Sequence, residues 1–294
     1  LLMIVGAVPV TTSMTLTAAD TLLLAGESNK ILCLGPLRVA RDVWTDEAAK
    51  WDHTSHLRIS KVMGTEPERK AALRKKADIY VTNYEQLPWL QKAMGNDWDF
   101  DTVVADEATK LKGFRLQQGG ERTRALGKVA HKKVRRFIEL TGTPAPNGIK
   151  DLWGQLWFLD AGQRLGRSFT AFSERWFQLD RDGYGLKPLP HAFDEITTLV
   201  SDLCLSIQAK DYFDLRAPIV NNIPVILPPK AMVAYREMER EMFLELEEVG
   251  IEAFHAASRN IKCLQLANGA IYLDKTGTAW APLHNAKIEA LESI

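Results

Sequence analysis

Short apolar runs alternating with amphipathic stretches constrain this chain more than any other feature. Six runs recur: LMIV (2–5), KILCLG (30–35), LRISKV (57–62), DIYVT (78–82), DTVVA (101–105) and RFIELT (136–141). Most are apolar throughout, the pattern of parallel strands covered on both faces. Helical periodicity fills the gaps at about 12–26, 39–51, 66–76, 84–93 and 116–130. Strand–helix–strand repetition predicts an α/β fold with a doubly wound parallel sheet. Ligands of such sheets sit beyond the carboxyl ends of the strands, where strand order reverses.

After residue 149 the pattern becomes mostly helical, with aromatics at helical spacing in DLWGQLWFLD and SFTAFSERWF that read as core packing. The Gly- and Pro-rich DRDGYGLKPLP (180–190) reads as an exposed loop, and APIVNNIPVILPP (217–229) as an extended segment. A long helix is expected at about 230–256, its acidic and basic residues forming a solvated face. The final helical pattern, NAKIEALESI, carries no stop signal and reads as cut. Residues 1–205, with a helical insertion at about 149–205, are expected to form one domain, and 206–294 a second segment.

The chain has 294 residues, with 37 Lys+Arg against 37 Asp+Glu. No global field draws it to nucleic acid or membrane, so any such binding must rest on local patches. Cys33, Cys204 and Cys263 are far apart and show neither metal-ligand spacing nor a disulfide framework. That usage fits a reducing compartment. No apolar run reaches the ~18 residues of a membrane span. LLMIVGAVPV lacks the basic leader of a secretory signal and reads as a buried first strand.

One run ends unusually. VVADEATKLKG (103–113) sets Asp106 and Glu107 side by side at a strand's carboxyl end. Paired acids there suit magnesium–phosphate chemistry, one carboxylate holding the metal and the next acting on an attacking water. A second strand end, ELTGTPAPNG (139–148), places Thr141, Gly142 and Thr143 in a turn that permits close backbone approach. Lys110, Lys112 and Arg115 follow the acid pair. Lys128, His131, Lys132, Lys133, Arg135 and Arg136 form a second basic run, which also reads as a solvated helix end. The six histidines show neither nucleophile-elbow context nor zinc-ligand spacing.

VVADEATKLKG followed by LTGTPAPNGIKDLWGQLWFLD resembles motifs II and III of superfamily-two helicase-like ATPases. The nearest likeness is to Snf-type (switch/sucrose non-fermenting) DNA translocases, in the compact form that phages often encode. ILCLGPLRVARDVWTDEAAKW resembles motif Ia, ADIYVTNYEQL motif Ib, and the stretch from SIQAKDYFDL onward the junction between two helicase lobes. The resemblance implies a RecA-like lobe that binds ATP and magnesium, with Asp106 on the metal and Glu107 on the water. It implies that Thr141, Gly142 and Thr143 couple nucleotide state to DNA. Pro36, Arg38, Asn83, Tyr84 and Lys112 would approach the backbone of duplex DNA without reading sequence. It further implies a second lobe, whose start alone lies in this chain, and a bacterial host cytoplasm for a phage-encoded protein.

The phosphate loop departs from the family pattern, whose core is G-x-G-K-T. Here the matching place reads GAVPVTTS, with Val8 and Val10 at the glycine positions and Thr11 at the lysine position. Thr12 keeps a hydroxyl that could meet magnesium. Pro9 and two β-branched valines disfavour the curled, amide-exposing turn. Losing that lysine and both glycines predicts very slow ATP hydrolysis, since one preorganised donor alone is worth roughly 3–4 kcal/mol. The alternative is a DNA-binding or interaction module that kept the fold and lost the chemistry.

Overall fold

The computed structural model describes residues 2–5, 11–180, 185–207, 220–248, 253–273 and 279–294, with side chains for all of these except 2–5, 241–248 and 253–259. The chain divides into two compact units, Leu1–Leu215 and Arg216–Ile294.

In the first unit the strands are β1 (Leu2–Val5), β2 (Ile31–Gly35), β3 (Ile59–Lys61), β4 (Ile79–Asn83), β5 (Thr102–Asp106), β6 (Arg136–Thr141), β7 (Phe177–Leu179), β8 (Leu186–Pro188) and β9 (Cys204–Ser206). The helices are α1 (Thr11–Leu24), α2 (Trp44–Lys50), α3 (Glu66–Arg74), α4 (Leu87–Met94), α5 (Glu121–Ala130), α6 (Leu152–Asp160), α7 (Phe169–Trp176) and α8 (Ala192–Val200). Seven strands form one sheet in the order β3-β4-β2-β5-β6-β1-β9, and every pairing in it is parallel. The strand at 204–206 is absent from the sequence reading, because three residues carry too little pattern to betray an edge strand. β7 and β8 form a separate antiparallel pair.

The apolar runs follow from burial on both faces. Leu32, Leu34, Tyr80, Val103, Ala105 and Phe137 face one core, against α4, α5 and α6. Ile31, Cys33, Ile79, Val81, Val104 and Leu140 face the other, with Leu16 and Ala19 of α1 and Trp44 of α2. Alternate residues of each strand therefore serve opposite layers. Trp153, Phe158, Phe172 and Trp176 are buried in the first core, so the aromatic spacing after residue 149 is packing.

Local signals set several boundaries. α3 begins with a capping box, Thr65 with Glu68, and carries Pro67 in its first turn. The helical pattern at 39–51 splits into a π-helical turn, Val39–Val43, and then α2. The pattern at 116–130 yields helix only from Glu121, because residues 112–120 hold three glycines and fold as turns.

The second unit contains α9 (Pro229–Glu248), α10 (Ala253–Ala267), an antiparallel pair of β10 (Ala270–Tyr272) and β11 (Trp280–Pro282), and α11 (Ala286–Glu292). Of the helix expected at 230–256, α9 and the start of α10 are described, and residues 249–252 lie outside the described residues. Cys263 and Leu266 of α10 are buried. Among the described residues no helix is long and apolar enough to cross a membrane.

Candidate active site

Three strands bring their carboxyl ends to one rim. β6 lies between β5 and β1, with Asp106 opposite Leu140 and Thr141 opposite Val5. Asp106 and Thr141 thus end neighbouring strands, one residue apart in register. Pleating gives them different faces: Asp106 follows Val104 onto the α1 side, while Thr141 follows Glu139 onto the other. α1 starts at Thr11 on the same side as Asp106, so its first turn and this carboxylate share a face of the sheet.

Asp106 is half-buried. Burial, reinforced by the neighbouring Glu107 charge, pushes its carboxyl up to about 6, against a hydrogen bond from the Glu107 amide that favours ionisation. Glu107 is exposed and holds a left-handed backbone at φ 55°, ψ 54°, which is uncommon for a residue with a Cβ. Such a conformation costs of order 1–3 kcal/mol and persists only where its surroundings over-determine it. One of those constraints is visible. The Tyr84 hydroxyl donates a 2.7 Å hydrogen bond to the Asp106 carbonyl, at the peptide that precedes Glu107.

The hydroxyl-bearing bend after β6 is ordered by its own side chain. Thr141 is buried, and its Oγ1 accepts from the Thr143 amide at 3.2 Å, while Gly142 and Thr143 are exposed. Both strand-end segments are tied to α6. Lys112 Nζ lies 3.6 Å from Asp151 Oδ2, and the Asn147 amide donates to the same oxygen. Gln155 donates to the Pro144 carbonyl at 2.7 Å. Gly154 admits the carbonyl of Lys112, which a Cβ there would meet at 2.5 Å.

The residues expected to approach DNA divide by exposure. Arg38 is exposed, and Lys112 is half-buried beside Asp151. Pro36 lies in the turn after β2, where its carbonyl accepts from the Ala40 amide. Asn83 is buried, and its amide donates to Glu85, which also pairs with Arg122. Tyr84 is buried too, with its hydroxyl committed to Asp106, so its side chain is a brace under the acid pair. Arg135 and Arg136 clamp Glu27 at the amino end of β6, the opposite edge of the sheet from the acid pair. Thr11 and Thr12 open α1, and Thr12 is buried. Val8 and Val10 lie outside the described residues.

Glu139 was not anticipated. It is fully buried on β6, neither carboxyl oxygen has a hydrogen-bond partner among the described residues, and burial holds its pKa well above the usual carboxylate range. The one signal in the sequence is an acid within an otherwise apolar strand.

The rim fits magnesium with a triphosphate. Such a metal takes one or two carboxylates and completes its shell with water and phosphate oxygens. Asp106, Glu107 and the hydroxyl of Thr12 could supply that donor chemistry at the carboxyl edge, Asp106 and Thr12 on the face that carries the start of α1.

A family model described as the SNF2-related domain matches residues 11–266. The chain is 49% identical over 289 residues to "Putative protein p41" of Acyrthosiphon pisum secondary endosymbiont phage 1, covering 96% of this chain and 63% of that protein. It is 28% identical over 156 residues to "DNA excision repair protein ERCC-6-like" of Danio rerio, covering 50% of this chain and 10% of that protein. Among solved structures, the SWI2/SNF2 ATPase core of Sulfolobus solfataricus in complex with dsDNA superposes with a TM-score of 0.56 at 22% identity, over 91% of this chain and 54% of that one. That likeness shows a shared RecA-like α/β fold. The chain thus spans less than two thirds of the length of these relatives.

Proposed function

Because the chain belongs to the SNF2-related domain family, we propose that it forms the ATP-binding lobe of a DNA-dependent ATPase that moves on or remodels duplex DNA. The observation that carries this reading is the placing of Asp106 and Glu107 at the carboxyl rim of the parallel sheet, with Asp106 on the face where α1 begins.

Asp106 and Thr12 would hold magnesium–ATP, and the first-turn amides of α1 would supply donors for its phosphates. Bound magnesium neutralises charge on the phosphoryl oxygens and orients them. Glu107 orients the attacking water and takes its proton. Its left-handed backbone turns the chain out of the strand, and the Tyr84–Asp106 hydrogen bond fixes the peptide from which it departs. Thr141, Gly142 and Thr143 couple the nucleotide site to DNA. Arg38 and Lys112 contact the backbone as point charges, which position a duplex without reading its sequence. A second lobe completes the site and closes on it.

Without the phosphate-loop lysine, turnover is slow. The test restores the loop, with Val8→Gly, Val10→Gly and Thr11→Lys, in a protein that includes the second lobe. DNA-stimulated ATP hydrolysis is expected, and Glu107→Gln should abolish it while sparing nucleotide binding. No stimulated hydrolysis in the restored protein would refute the reading. One observation favours a second reading, a DNA-binding or interaction module without chemistry: Thr11 stands where the family has lysine. Magnesium-dependent binding of ATP by the chain as it stands would eliminate it.

A further inference from the structure

The seam between α4 and α5 opens into a groove of ≈ 650 Å³ on the helical flank of the first unit. Pro88, Phe114, Leu116 and Trp157 supply its apolar lining, and Lys92, Arg124 and Lys128 its cations. None of these residues belongs to the candidate active site.

The apolar lining is built in advance. Phe114 is 2% exposed and sits 4.4 Å from the Trp157 ring, centroid to centroid. His131 braces that indole edge-on at 4.7 Å and hydrogen-bonds the Trp157 carbonyl. α5 can pass over Phe114 because residue 127 is glycine, where a Cβ would meet the Phe114 ring at 2.7 Å. Leu116, half exposed, adds an aliphatic surface open to solvent.

The cations are unspent. Lys92, Arg124 and Lys128 are exposed, and none makes an ion pair or side-chain hydrogen bond among the described residues. Cations close by in sequence behave differently: Arg122 pairs with Glu85, and Arg135 and Arg136 with Glu27. Glu121 is the one acid lining the groove. An apolar trough with three unpaired cations complements a ligand that is apolar on one side and acidic at its flanks. An amphipathic helix with i, i+3/i+4, i+7 anchors has that character. A nucleic-acid backbone has the charge but nothing to set against Phe114, Leu116 and Trp157.

We propose that this groove docks an acidic amphipathic helix of a partner protein, with leucine or aromatic anchors against Leu116 and Trp157, above the buried Phe114, and carboxylates at Lys92, Arg124 and Lys128. The contact is independent of nucleotide chemistry.

The test is fluorescence anisotropy of the full chain with a labelled designed helix that carries Leu and Trp anchors and Glu flanks. Its controls are the same peptide with Lys flanks and a short DNA duplex as competitor. Micromolar binding of the acidic peptide is expected, at least tenfold weaker to the Lys92→Glu/Lys128→Glu protein and to Leu116→Asp. Absence of binding at hundreds of micromolar, equal binding of the Lys-flanked peptide, or indifference to both variants would each overturn the proposal. Displacement by duplex DNA that Lys92→Glu/Lys128→Glu relieves would reassign the groove to nucleic acid. Loss of self-association in that variant would reassign it to a second copy of the chain. The variant should titrate a fluorescent ATP analogue as the parent does, so failure here and failure of the ATPase reading remain distinguishable.

Discussion

The Tyr84 hydroxyl donates to the backbone carbonyl of Asp106 at 2.7 Å, across two strand ends that are 22 residues apart in sequence. Tyr84 is buried, and the peptide it holds leads into the left-handed Glu107. A buried aromatic thereby fixes the direction in which the second acid leaves the sheet. Tyr84→Phe keeps the packing and removes only this bond. It should cost about 0.5–1.5 kcal/mol in chemical denaturation. In the loop-restored protein it should lower kcat more than KM, because the misplaced group is the one that acts on the water.

Asp106 supplies a pH dependence with a definite sign. Its carboxyl is held up to about 6, whereas an unconstrained aspartate titrates near 3.8. Between those values the folded chain keeps a proton that the unfolded chain has released, so stability falls as pH rises through the window. Asp106→Asn carries no charge at any pH. It should match the parent at pH 4 and exceed it by about 1–3 kcal/mol at pH 8, measured from urea midpoints without magnesium. An equal effect at both pH values would show that the carboxyl is not held neutral.

Glu139 should behave as an uncompensated buried acid. Its oxygens have no partner among the described residues, and its charge would bear on Tyr84 and Cys204. Glu139→Leu removes an unsatisfied group at similar bulk and should stabilise the fold by about 1–3 kcal/mol. Because the raised pKa makes the parent lose stability as pH climbs, the gain should grow with pH. A thermal melt lower than the parent's at pH 8 would mean that Glu139 has a partner in the native protein.

Gly154 is where the two strand-end segments meet through α6. An added Cβ would lie 2.5 Å from the Lys112 carbonyl oxygen and 2.9 Å from that of Leu111. Both obstacles are backbone, so relief requires moving the segment that follows the acid pair. Gly154→Ala should destabilise by roughly 1–3 kcal/mol despite alanine's better helix propensity. A neutral or stabilising result in thermal melts would show that the α6 contact is loose.

Much of this was legible in the residues. The six apolar runs became six of the sheet's seven strands, and burial on both faces leaves the central ones little choice of composition. Asp106, Glu107 and the Thr141–Thr143 bend could be found because polar residues directly after an apolar strand mark its carboxyl end. For Tyr84 a motif places the residue near DNA, but nothing in one dimension says that its ring turns into the core. Glu139 and the groove over Phe114 depend on which residues meet across elements, and spacing along the chain does not carry that information. Cys204–Ser206 was overlooked because an edge strand of three residues has no period to detect.

The most direct test is a titration of a fluorescent ATP analogue against the chain as it stands, with and without magnesium, in the parent and in Asp106→Ala. The account predicts weak binding that requires magnesium and disappears in Asp106→Ala. Binding that is indifferent both to the metal and to that substitution would contradict it, by placing the triphosphate somewhere other than the carboxyl rim of β5.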